Sequence, residues 1–96
     1  GMRVKEPGVN LAVIMSIVSS VKNKGIPTDV AFIADVGLTG ELKKVPSLEG
    51  RIKELARMGF RKVYVAKDSF AKGFKIEGID IISLKTLNDV IINVYR

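Results

Sequence analysis

Val30-Ala31-Phe32-Ile33-Ala34, followed at once by Asp35-Val36-Gly37-Leu38-Thr39-Gly40-Glu41-Leu42-Lys43-Lys44-Val45, decides how this chain is expected to fold. The first five residues are apolar throughout, as in a strand covered on both faces. Gly37 and Gly40 bracket a sharp turn, one of them supplying positive φ. Glu41 to Val45 alternates in character and reads as a second, more exposed strand. The connection is short, so an antiparallel hairpin between 30–34 and 41–45 is expected.

Working outward, residues 2–5 alternate apolar and polar and suggest a short strand that Pro7-Gly8 ends. Asn10 is positioned to cap a helix whose apolar positions run Leu11, Ile14, Met15, Val18 and Val21. Val13 and Ile17 widen that stripe past half the circumference, which predicts packing on more than one side. Gly25 is the expected left-handed stop. After the hairpin, Pro46-Ser47 opens a second helix, Ser47 as its expected N-cap, with Leu48, Ile52 and Leu55 inward. Gly59-Phe60 has the form of a Schellman stop. Strands follow at 63–66 and 79–82, separated by a basic, glycine-containing segment. Thr86-Leu87-Asn88-Asp89 has the spacing of a capping box before a closing amphipathic helix. Helix–strand alternation in the second half predicts parallel pairing of the last two strands. The fold class is therefore α/β (α+β), a mixed sheet with three helices in one domain over residues 1–96.

Composition excludes several chemistries. The chain has no cysteine and no histidine. Disulfides, thiolate or imidazole metal sites and a Ser-His-Asp triad are impossible within it, and a reducing cytosol suits it. No P-loop pattern is present, so ATP hydrolysis by this chain alone is not expected. No apolar run is long enough to span a bilayer. A Ser-Lys dyad needs no histidine, but none of the serines lies on a strained turn that would expose a nucleophile. Asp35 and Glu41 flank the central turn; turn hydrogen bonding explains them more simply than acid–base work.

Charge is concentrated. Ten of the sixteen basic residues, but three of the ten acidic ones, fall between Lys43 and Lys75. Such a field favours polyanions such as nucleic acid, although a solvated surface is the simpler alternative. Lys43, Lys44 and Arg51 near the hairpin, then Arg61 and Lys62, are the candidates for phosphate contacts.

The run Gly37-Leu38-Thr39-Gly40-Glu41 resembles a segment of the C-terminal, Lon-protease-like domain of the RadA (Sms) family of bacterial DNA repair proteins. Glu6-Pro7-Gly8-Val9-Asn10-Leu11-Ala12-Val13, Glu49 to Phe60, and Val65-Ala66-Lys67-Asp68 are similar to further segments of that domain, in the same order. In Lon peptidases a nucleophilic serine and a lysine stand where this chain has Gly8 and Glu49. The resemblance thus implies a degenerate, non-catalytic Lon-like domain, truncated so that the first strands of the full domain are missing. The alternative is a fragment of an ATP-dependent Lon-type Ser-Lys peptidase. The family further implies a cytoplasmic DNA-dependent ATPase that assembles as a hexamer on single-stranded or branched DNA. ATP, magnesium and zinc would belong to the full-length protein, and no cofactor to this chain. Gly37, Thr39, Gly40 and Glu41 would then be a structural turn.

Overall fold

The computed structural model describes residues 8–96, so the strand expected at 2–5 lies outside the described residues. The elements in order are β1 (Val9–Asn10), α1 (Leu11–Lys22), β2 (Val30–Ile33), β3 (Asp35–Val36), β4 (Leu42–Lys43), α2 (Leu48–Arg57), β5 (Lys62–Ala66), β6 (Asp80–Leu84) and α3 (Leu87–Tyr95). The class is α/β. Both strand directions occur, as expected, but they are divided between two small sheets. β1-β3-β4 is antiparallel, and β2-β5-β6 is parallel.

That division corrects the expected hairpin. Residues 30–33 pair in parallel with β5, Ala31 opposite Val63 and Ile33 opposite Val65. The chain then changes sheet at Ala34. The hairpin partners of β4 are Asp35 and Val36, in the register Val36↔Leu42 and Asp35↔Lys43. Ala34, between the two sheets, turns its carbonyl toward β1, where it accepts from the Leu11 N–H at 2.9 Å. Pairing stops there, and Lys44 and Val45 lead away to α2.

β5 carries the core. Its side chains alternate between two apolar clusters, as the period of two in a strand requires. Tyr64 and Ala66 meet Leu11 and Met15 of α1 and Val90 of α3. Val63 and Val65 meet Leu48 and Ile52 of α2, together with Ile79. The parallel sheet is thus sandwiched, with α1 and α3 on one face and α2 on the other. Every residue from Val63 to Ala66 is buried, which matches the unbroken apolar run of a doubly covered strand.

Short-range signals in the sequence are matched by the structure. The Thr86 side chain accepts from Asp89 N–H, and the Asp89 carboxylate accepts from Thr86 N–H, both at 3.1 Å. After α2, Phe60 N–H bonds the Leu55 carbonyl and Gly59 N–H that of Ala56, the Schellman pattern. The parallel pair is β5–β6, Val63 opposite Ile81.

Three local expectations are corrected. Asn23, at φ 53°, rather than Gly25, takes the left-handed conformation after α1. Asn tolerates it, and the Lys24 N–H and carbonyl are both engaged by Ser19. Ser47 sits at φ 57° and makes no side-chain cap bond. Finally, α1 is packed on one side only among the described residues. Leu11 and Met15 are buried, whereas Val13, Ile17 and Val21 face solvent.

Candidate nucleic-acid interface

The central turn is built by short-range bonds. Gly37 N–H donates to the Glu41 carbonyl at 2.8 Å, and Gly40 N–H to the Gly37 carbonyl at 3.0 Å. Gly40, at φ 89°, is the residue that needs positive φ. The Thr39 hydroxyl donates to the Glu41 carboxylate. That bond, chiefly, holds the Glu41 carboxyl below its ordinary range, with backbone donation and the Lys43 charge adding to it. The carboxylate lies on Gly37, where a Cβ would collide with it. Glu41 is therefore committed to the turn. Asp35, the other flanking carboxylate, stands opposite Lys43 in the β3–β4 register.

The turn is tied to the rest of the fold through the entrance of α3. Leu87 N–H bonds the Gly40 carbonyl at 2.8 Å, and Leu42 N–H bonds the Lys85 carbonyl at 2.9 Å. Lys85 follows β6 directly. The hairpin therefore sits at the C-terminal end of the parallel sheet. Lys67 N–H bonds the Leu84 carbonyl at 2.8 Å, which puts Lys67 at the same end. Half-buried Lys43, exposed Lys44, and exposed Lys67 and Lys85 thus all stand at the carboxyl ends of the parallel strands, where open α/β sheets usually bind their ligands.

The sequence-predicted basic residues do not all gather there. Arg61 and Lys62 open β5 and stand at the other end of the sheet. A five-residue strand separates them from Lys67, roughly 16 Å at strand rise. Arg61 lies beside Gly78, Ile79 and Asp80 there. Arg51 is on α2, bordering a groove along the edge of β2 that reaches Ala12 of α1. Sequence reasoning passes over Lys85, and it counts Lys67 only as part of the charge. The signal is available in the expected parallel pair, since both residues follow its strands.

Gly8 and Glu49 are also placed. Gly8 lies against β3, and a Cβ there would touch Asp35 Cβ and the Val36 carbonyl oxygen at 3.4 Å, an ordinary contact. Glu49 is exposed in the first turn of α2 and pairs with Lys53 at 3.0 Å. An exposed i,i+4 pair of this kind contributes little. Among the described residues no cluster of three or more carboxylates could hold a metal ion, and no helix is long and apolar enough to cross a membrane.

No family model matches the chain. It is 39% identical over 92 residues to DNA repair protein RadA of Streptococcus pyogenes, covering 95% of this chain and 20% of that one. It is 37% identical over 95 residues to the RadA of Streptococcus pneumoniae, covering 99% and 23%. With the RadA of Aquifex aeolicus it shares 38% over 91 residues, covering 95% and 20%. The chain is thus homologous to part of DNA repair protein RadA, and it spans about a fifth of the length of the curated relatives it matches.

Proposed function

We propose that this chain is a non-catalytic, Lon-like module of a RadA-type DNA repair and recombination ATPase, contributing to ring assembly and DNA contact. The observation that carries the reading is the similarity to DNA repair protein RadA along nearly the whole chain. The lysines at the carboxyl end of the parallel sheet add to it, because they present positive charge where a phosphate backbone could pass. Lys43 and Lys44 are the first phosphate contacts in this reading, and Arg51, on α2 at the groove by β2, is a further one. Arg61 and Lys62, a strand length away, serve a separate contact.

The chemistry of the longer protein lies outside these residues. With no cysteine, no histidine and no P-loop pattern, this chain suits neither zinc nor ATP. The same reading makes the full-length protein a cytoplasmic DNA-dependent ATPase that forms a hexameric ring on single-stranded or branched DNA. Peptide hydrolysis is not part of it, since Gly8 has no side chain to attack with and Glu49 cannot act as a lysine.

Binding of a labelled oligonucleotide, followed by fluorescence anisotropy against salt, is the direct test. Lys43→Glu with Lys44→Glu should weaken binding and flatten the dependence of log K on log salt by up to about 0.9 for each duplex phosphate that is no longer neutralised. Absence of affinity at low salt, or an unchanged slope in the double variant, refutes the DNA assignment. Salt-insensitive self-association without DNA binding would leave a purely structural module. Cleavage of a fluorogenic peptide by the wild-type chain, matched against Gly8→Ser with Glu49→Lys, would favour the peptidase alternative.

A further inference from the structure

We infer that the loop between β5 and β6 carries a second site, a platform that stacks one unpaired nucleobase of a single strand and holds its phosphate. Parallel strands are ordinarily joined by a crossover helix that covers the sheet. Residues 67–79 join β5 to β6 without one. Connections of this length without their own helix or strand are uncommon in compact domains, and binding loops are one of their recognised uses. Phe70 takes over the covering role, packing on the Val63, Val65 and Ile79 cluster. Phe74 does not join that cluster. It lies flat on Phe70, ring centroids 4.4 Å apart and planes 17° apart.

The pair borders an open cavity of about 460 Å³ whose further lining includes Lys67, Asp68, Lys72 and Ser83. That volume falls within the usual range for small-ligand sites. Lys67 and Lys72 are exposed, and neither forms an ion pair among the described residues. Stacked aromatic rings and two lysines lining one cavity have the composition of a single-strand site, where a base stacks and a cation meets the backbone. The Asp68 carboxylate disfavours a second phosphate inside the cavity but can accept a hydrogen bond from a base amino or imino group. The site stands at the same end of the sheet as Lys43, so it rests on the DNA reading above while using different side chains.

The test compares labelled oligo-dT, a duplex of equal length and free dTMP with the wild-type chain and four variants, the Lys43/Lys44 double variant among them. Phe74→Leu keeps an apolar cover over Phe70 but removes the stacking face. It should weaken oligo-dT binding between about fivefold and about a hundredfold, the usual worth of one stacked base, and leave duplex binding unchanged. Phe74→Tyr should restore it. Lys67→Gln with Lys72→Gln should flatten the single-strand salt slope by up to about 0.7 for each phosphate that is no longer neutralised. Ultraviolet cross-linking of iodouracil-substituted oligonucleotide to the wild-type chain should label the peptide containing Phe74, a measurement that needs no variant to fold. Unchanged oligo-dT affinity in Phe74→Leu, or cross-links confined to other peptides, overturns the site. If dTMP binds as tightly as oligo-dT, the platform takes a free nucleotide and the single-strand assignment is overturned. Loss of duplex binding in the Lys43/Lys44 variant with oligo-dT stacking retained would uphold both sites, whereas duplex binding unaffected by that variant would sink the Lys43/Lys44 surface alone.

Discussion

The same substitution at two glycines should change stability in opposite directions. Gly40 closes the central turn at φ 89°, and a Cβ there would meet nothing within 4 Å. The cost of Gly40→Ala is therefore conformational, about 1–2 kcal/mol for an L residue held in left-handed space. Relaxing the strain is not free either, because Gly40 N–H bonds Gly37 and its carbonyl bonds Leu87. Gly50 sits inside α2, exposed, with nothing within 4 Å of a Cβ. There alanine removes the helix penalty of glycine, a gain of about 0.5–1 kcal/mol. For a domain of this size about 1 kcal/mol shifts Tm by roughly 4–8 °C. Gly40→Ala should thus lower Tm by about 4–16 °C, and Gly50→Ala should raise it by about 2–8 °C. Thermal and urea unfolding followed by circular dichroism reads both, with the urea m-value expected to stay constant. Gly40→Asn should fall between wild type and Gly40→Ala, since asparagine visits left-handed space more readily. A neutral Gly40→Ala, or shifts of the same sign at both sites, would refute this account of the turn.

Two further outcomes follow from side-chain bonds. Thr86→Ala removes half of the capping box and should cost about 1 kcal/mol, read as a lower urea midpoint, while Thr86→Ser should recover most of it. Thr39→Val removes the donor that most depresses the Glu41 carboxyl, so an NMR titration of Glu41 should return toward 4.5 in the variant. Because the folded pKa is lowered, the turn gains from ionised Glu41 above that ordinary value and loses the gain as pH falls through the folded one. The pH sensitivity of wild-type stability below the ordinary glutamate range should accordingly shrink in Thr39→Val.

Local bonds make much of this fold legible in the sequence. The capping box at Thr86–Asp89 and the Schellman stop at Gly59–Phe60 each close within six residues, so their residue types suffice to specify them. The parallel β5–β6 pair can be read from the alternation of helix and strand in the second half, but the double burial expected for Val30 to Ala34 belongs instead to Val63 to Ala66. The resemblance to the RadA family is carried by four segments of the sequence in the same order. What fails is inference about which neighbour an apolar surface will find. By pattern, Val30 to Ala34 belongs in the hairpin. Its partner is β5 instead, and the hairpin uses the two residues that follow, Asp35 and Val36, because the chain passes from one sheet to the other at Ala34.

The basic residues show the same boundary between sequence and tertiary structure. Sequence alone determined that positive charge is concentrated between Lys43 and Lys75, and that no thiol, imidazole or P-loop chemistry is possible in this chain. It could not decide which of those cations share a surface. Parallel pairing did so. It stacks the ends of β5 and β6, setting Lys67 and Lys85 beside the hairpin of Lys43 while sending Arg61 and Lys62 to the opposite end. The distribution of charge among residues is a property of composition. Its assembly into a site depends on strand direction and register, which are fixed by the burial of β5 between two helical layers.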